Sequence, residues 1–139
     1  MKNRISLLII FLLFPLPLLA GLQVPWSLSY SDGSANNYQF KQDTKEGEVY
    51  FEYIPVRPEQ SSTGMYSGGD PRKGLLDKNQ TAELEKWLDK LEKETSLHAK
   101  DRIKGSGSFR IKSGSETRSF LINQSPQLDE FNQFLKNLP

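Results

Sequence analysis

Apolar and polar positions alternate at period two over several stretches of this chain, and apolar positions recur at helical spacing in two others. Trp26, Leu28 and Tyr30 alternate with Ser27 and Ser29, the mark of a strand with one face buried. Tyr38 and Phe40 begin a second alternating run. Residues 49–54 (Val-Tyr-Phe-Glu-Tyr-Ile) are rich in aromatic and β-branched side chains and give the clearest strand. That strand sets Val49, Phe51 and Tyr53 on one face and Tyr50, Glu52 and Ile54 on the other. Ser31-Asp32-Gly33-Ser34 and Lys45-Glu46-Gly47 supply turn chemistry between these runs. Three strands with short turns predict an antiparallel meander. A later hairpin pairs residues 108–112 with 118–122 around 113–116, and Phe109, Ile111, Phe120 and Ile122 should share its buried face.

The helical spacing comes with end signals. Asp77 suits an N-cap with Gln80 three residues on, and Leu84, Trp87, Leu88 and Leu91 form one apolar stripe. Ser125-Pro126 opens a second helix, since proline at the first helical position loses no bond. Asp129 and Glu130 suit its positive end and Lys136 its negative end, with Leu128, Phe131, Leu135 and Leu138 as the stripe. Pro55 and Pro58 stop the strand ladder, and residues 55–74 form the longest irregular stretch, with a short strand expected at 63–66. Residues 95–104 fit either a helix end or an entering strand. The expected fold class is α+β: an antiparallel sheet of about five strands with two amphipathic helices packed on one face.

The first residues speak to destination. Lys2 and Arg4 precede an apolar run over residues 5–14 broken only by Ser6, and Pro15 to Gly21 end it with helix breakers and small residues. This is the layout of a secretory signal peptide, too short to cross a hydrocarbon core of ~30 Å comfortably. Residues 1–20 are expected to be the leader, and residues 21–139 a single globular α+β domain, periplasmic or extracellular. The leader carries two of the 18 Lys+Arg and none of the 17 Asp+Glu, so the mature chain has a formal charge of −1. That balance gives no electrostatic ground for nucleic acid as a partner. Cysteine is absent, which removes a lipoprotein anchor, thiolate catalysis, a zinc-thiolate site and disulfides together. No stable membrane anchor is expected after leader cleavage, and no cofactor is implied.

Catalytic constellations are not apparent. The single histidine, His98, has only Asp101 nearby, and G-x-S-x-G, S-x-x-K and H-E-x-x-H do not occur. Glu46/Glu48 and Glu92/Glu94 read as solvated charges. Residues 31–37 resemble half of a calcium loop but lack its spaced carboxylates, so a turn is expected. The sharpest candidate is the 58–74 loop, above all Thr63, Gly64, Met65, Tyr66, Ser67, Gly68 and Gly69. Two large side chains among small flexible ones are a common form of binding anchor, and Gly68 and Gly69 permit close backbone approach or positive φ. Arg72 and Lys73 follow, but the phosphate-loop spacing G-x-x-x-x-G-K-[ST] is absent. The sequons at Asn79 and Asn123 both overlap helix-start chemistry.

From Tyr66 onward the layout resembles the emfourin family of small inhibitors of thermolysin-type metallopeptidases. The shared points are Gly68-Gly69, the leucine-rich helix, Phe109-x-Ile111 with Phe120-x-Ile122, and the closing Ser125-Pro126-x-Leu128. Asp70-Pro71 stands where that family continues aromatic-Ala-Gly, and residues 22–60 have no counterpart. The resemblance implies peptidase inhibition and assigns no binding residue. The expected function is a non-enzymatic binding protein with a protein or glycan partner, the alternatives being a peptidase inhibitor and an unrecognised hydrolase.

Overall fold

The computed structural model describes residues 22–139, and the expected leader lies outside them. The alternation of the first three runs becomes β1 (Trp26–Ser31), β2 (Asn37–Gln42) and β3 (Val49–Ile54), paired antiparallel as a meander. Their apolar phases agree in register: Leu28 lies opposite Phe40, and Phe40 opposite Phe51. One face therefore collects the buried aromatic and aliphatic side chains, while Ser29, Gln39 and Lys41, with the more exposed Tyr50 and Ile54, lie on the other. The meander continues into β4 (Arg72–Leu76), after which α1 (Lys78–Lys93) crosses to the far edge and β5 (His98–Ala99). The chain then returns through the hairpin β6 (Gly107–Ser113) and β7 (Glu116–Ile122), and closes with α2 (Pro126–Lys136). The sheet has seven strands in the order β4-β3-β2-β1-β6-β7-β5.

Both helices begin as their sequences require. The Asp77 carboxylate accepts from the Gln80 backbone N–H while the Gln80 side chain returns to Asp77 N, and Ser125 Oγ accepts from Leu128 N. Both bury their stripes in one common core on the same face of the sheet. Phe131 of α2 meets Tyr30 edge-on at 5.2 Å and Phe109 at 5.5 Å between ring centroids. Arg118 of β7 pairs with Glu92 of α1, so Glu92 is not merely a solvated helix-face charge.

The fold class holds, but about five strands is an undercount. The added strands lack local signal. Residues 63–66 form no strand, and the pairing falls instead on Arg72-Lys73-Gly74-Leu75-Leu76, a sequence poor in β-branched and aromatic residues. It pairs because β3 offers an open edge and because the Arg72 guanidinium lies 5.2 Å over the Tyr53 ring. β5 resolves the ambiguous 95–104 stretch: a short 3-10 turn leads into two paired residues. His98 there stacks on Phe120 at 5.2 Å, its Nε2 lying 3.0 Å from the Leu91 carbonyl near the end of α1.

Candidate functional site

The 55–71 excursion folds as a closed loop with internal order. At its base the Gly68 N–H donates to the Val56 carbonyl, bringing the two limbs together. Within it, the turn Pro58–Gln60 is capped by Gln60 Oε1 on Arg57 N, and Gly64 N and Ser61 Oγ close the next turns on Ser61 O and Pro58 O. A surface loop with adjacent ends and its own packing is a frequent carrier of function. Residues 72–74 of the expected 58–74 loop belong instead to β4.

The loop is bound to the sheet through Asn36, a buried polar residue only 3% exposed. Asn36 Oδ1 accepts from Val56 N at 2.9 Å, while Nδ2 donates to Tyr66 Oη and to Asp32 Oδ2, each at 2.9 Å. Tyr53 Oη donates to the Gly68 carbonyl at 2.7 Å. Asp32 in turn caps its own turn, accepting from Ser34 N and Asn36 N. The turn reading of residues 31–37 thus has a physical basis in one carboxylate satisfied by local N–H groups.

These contacts divide the residues singled out by sequence. Met65 stands 83% exposed at the loop tip, whereas Tyr66 is 39% exposed with its hydroxyl tied to Asn36. Thr63 and Ser67 are exposed and bend the loop locally through Met65 N on Thr63 Oγ1 and Gly69 N on Ser67 Oγ. Gly64 (φ +69°) and Gly69 (φ +93°) occupy left-handed backbone with open space around them. Gly68 is required by the packing of the loop base: a Cβ there would lie 2.0 Å from Asn36 Oδ1 and 2.8 Å from Pro55 Cβ.

Beneath the loop lies an open cleft of about 950 Å³. One wall is the loop, with Tyr66, Ser67, Gly68 and Asp70, and another is the Asp32–Asn36 turn. The third is the outward stripe of α2, Asp129, Asn132 and Lys136, with Lys104 and Gln124 at its end. Arg72 joins the sheet edge to α2 by donating to the carbonyls of Leu138 (2.7 Å) and Lys136 (3.2 Å), where a cation complements the helix C-terminus.

Tyrosines from three adjacent strands line or underlie the floor. Tyr30 Oη donates to Asn132 Oδ1 at 2.6 Å, and the Tyr38 and Tyr53 rings lie 4.6 Å apart. Burial, with the nearby Asp32 charge and neighbouring phenols adding to it, raises the proton affinity of all three phenols. Tyr30 and Tyr53 therefore donate as neutral phenols. Since the folded pKa lies above the unfolded value of about 10, their contribution to stability is complete below that pH and declines as pH rises past it. Tyr30 and Tyr38 should both contribute to that loss. Urea unfolding from about pH 8 to about pH 11 should show the midpoint falling only above about pH 10, less steeply in Tyr30→Phe.

Among the described residues no three His, Asp or Glu side chains gather where they could hold a metal ion. Sequence reasoning located Tyr66 to Gly69 but missed Asn36, Tyr38, Tyr53, Gln124 and Asn132. One signal was present: the phase that points Trp26 and Leu28 inward also points three phenols inward, and buried hydroxyls need partners. No known protein family matches this chain, and no curated protein or solved structure is significantly similar to it.

Proposed function

We propose that this chain is an exported, non-enzymatic binding protein, periplasmic or extracellular, that engages its partner through the 58–74 loop. The observation that carries this reading is the contrast within the loop. Asn36, Tyr53 and the Val56–Gly68 pair hold its base, while Met65 is left 83% exposed at the tip. An apolar anchor on a pre-ordered frame loses little conformational entropy on binding. The non-enzymatic reading rests on the sequence, with one histidine and no cysteine.

Immobilised protein should enrich a partner from periplasm or culture medium, and Met65→Ala should weaken that capture by about tenfold or more. Met65 makes no anchoring contact, so the variant should unfold like the parent. Capture unchanged by Met65→Ala and by shortening of the loop would overturn the reading. Peptidase inhibition is the second reading, favoured by the same exposed side chain on a loop fastened at both ends. In that case the protein blocks a thermolysin-type peptidase at near-stoichiometric ratio, and Met65→Ala relieves the block.

A further inference from the structure

The cleft under the loop differs in chemistry from the loop tip. Its carboxylates, Asp32, Asp70 and Asp129, are matched by Arg72, Lys104 and Lys136, and none of the six forms an ion pair among the described residues. An anion or a cation entering there meets repulsion as well as attraction. An apolar ligand finds little apolar floor, because the Tyr38 and Tyr53 rings that line it are almost wholly buried. What the cleft does offer is oriented hydrogen bonding. Asn132 is fixed by accepting from Tyr30, which leaves its Nδ2 donors on the cleft wall with no protein acceptor among the described residues. The Gln124 amide, at the end of the same wall, makes no hydrogen bond among those residues and presents both a donor and an acceptor. The Tyr66 ring, held by its hydroxyl, leaves part of its surface open at the rim.

We infer that the cleft binds a neutral oligosaccharide. Each sugar hydroxyl donates and accepts at once, and neighbouring hydroxyls suit planar amides, which present a donor and an acceptor side by side. A volume of about 950 Å³ accommodates a short oligosaccharide. A peptide is the poorer fit, since the cleft lacks apolar pockets to take alternate side chains. The inference rests on the loop as a recognition element, but through its cleft side, Tyr66 to Asp70, and not through Met65.

Calorimetry and amide chemical shifts should be recorded with the purified protein against short cello-, malto- and chito-oligosaccharides and against a polar peptide of mixed charge. At least one sugar series should bind saturably and shift the amides of residues 66–70 and 124–136. Asn132→Asp keeps the oxygen that receives the Tyr30 hydroxyl but replaces the Nδ2 donors with an acceptor, and should weaken sugar binding about tenfold; its urea midpoint should fall slightly, because the new charge lies three residues after Asp129, with the slope of a folded protein retained. Gln124→Ala, at an exposed position, should weaken it in the same direction. Absence of binding by every sugar, or binding indifferent to both variants, overturns the inference. So does binding of the peptide alone. Neither result touches the Met65→Ala capture, which judges the loop reading separately.

Discussion

Replacing Phe131 with alanine should lower the free energy of unfolding by about 3–5 kcal/mol. The side chain is 0% exposed and stands where three parts of the molecule meet. Its ring packs on Tyr30 and Phe109 of the sheet, on Trp87 of α1 at 6.0 Å and on Phe134 of its own helix at 6.3 Å. Truncation removes the transfer free energy of the ring and opens a cavity that the surrounding rings cannot refill without leaving their rotamers. Domains of this size are stable by only about 5–15 kcal/mol, so a large share of the margin goes. Urea unfolding should show a lower midpoint with an unchanged slope, and Phe134→Ala, at the half-buried rim, a clearly smaller loss. Equal losses would mean that α2 is not seated on the sheet through Phe131. Because α2 carries Asn132 and Lys136, the cleft should lose definition in the same variant.

Asn36→Ala should cost about 1–3 kcal/mol and free the loop from the sheet. One amide serves the Val56 N–H, the Tyr66 hydroxyl and the Asp32 carboxylate, and alanine leaves all of these without that partner in a nearly water-free position. Hydrogen exchange should then accelerate at Val56, whose N–H loses its acceptor, and at Gly68, whose N–H closes the loop base. Asn36→Asp offers an informative contrast. It retains an acceptor for Val56 but sets a second carboxylate against Asp32, so it should be destabilising at neutral pH and milder in acid. Exchange rates unchanged in Asn36→Ala would show that the loop is held by its internal turns alone.

The legible parts of this protein are those encoded within a few residues of one another. Alternation at Trp26-Leu28-Tyr30 and at Val49-Phe51-Tyr53 was enough for strand, face and meander. Capping at Asp77 and Ser125 was enough for both helix starts. β4 was not legible, because Arg72-Lys73-Gly74-Leu75-Leu76 has little intrinsic preference for a strand and pairs only where β3 presents an edge. The cleft was legible only along its loop wall. Its opposite wall is set by contacts such as Tyr30 to Asn132, 102 residues apart in the chain.

Taken alone, the amino-acid order determined the strand phases, the helix starts, the absence of thiol chemistry and the stretch in which an exposed apolar anchor would lie. These follow from side-chain periodicity and backbone capping, which act over one or two turns of chain. Tertiary structure alone decided the two added strands β4 and β5, the fastening of the loop through Asn36 and the polar cleft beneath it. A buried amide or phenol declares only that it needs a partner. Which distant group answers it depends on how sheet, loop and helix close over the shared core.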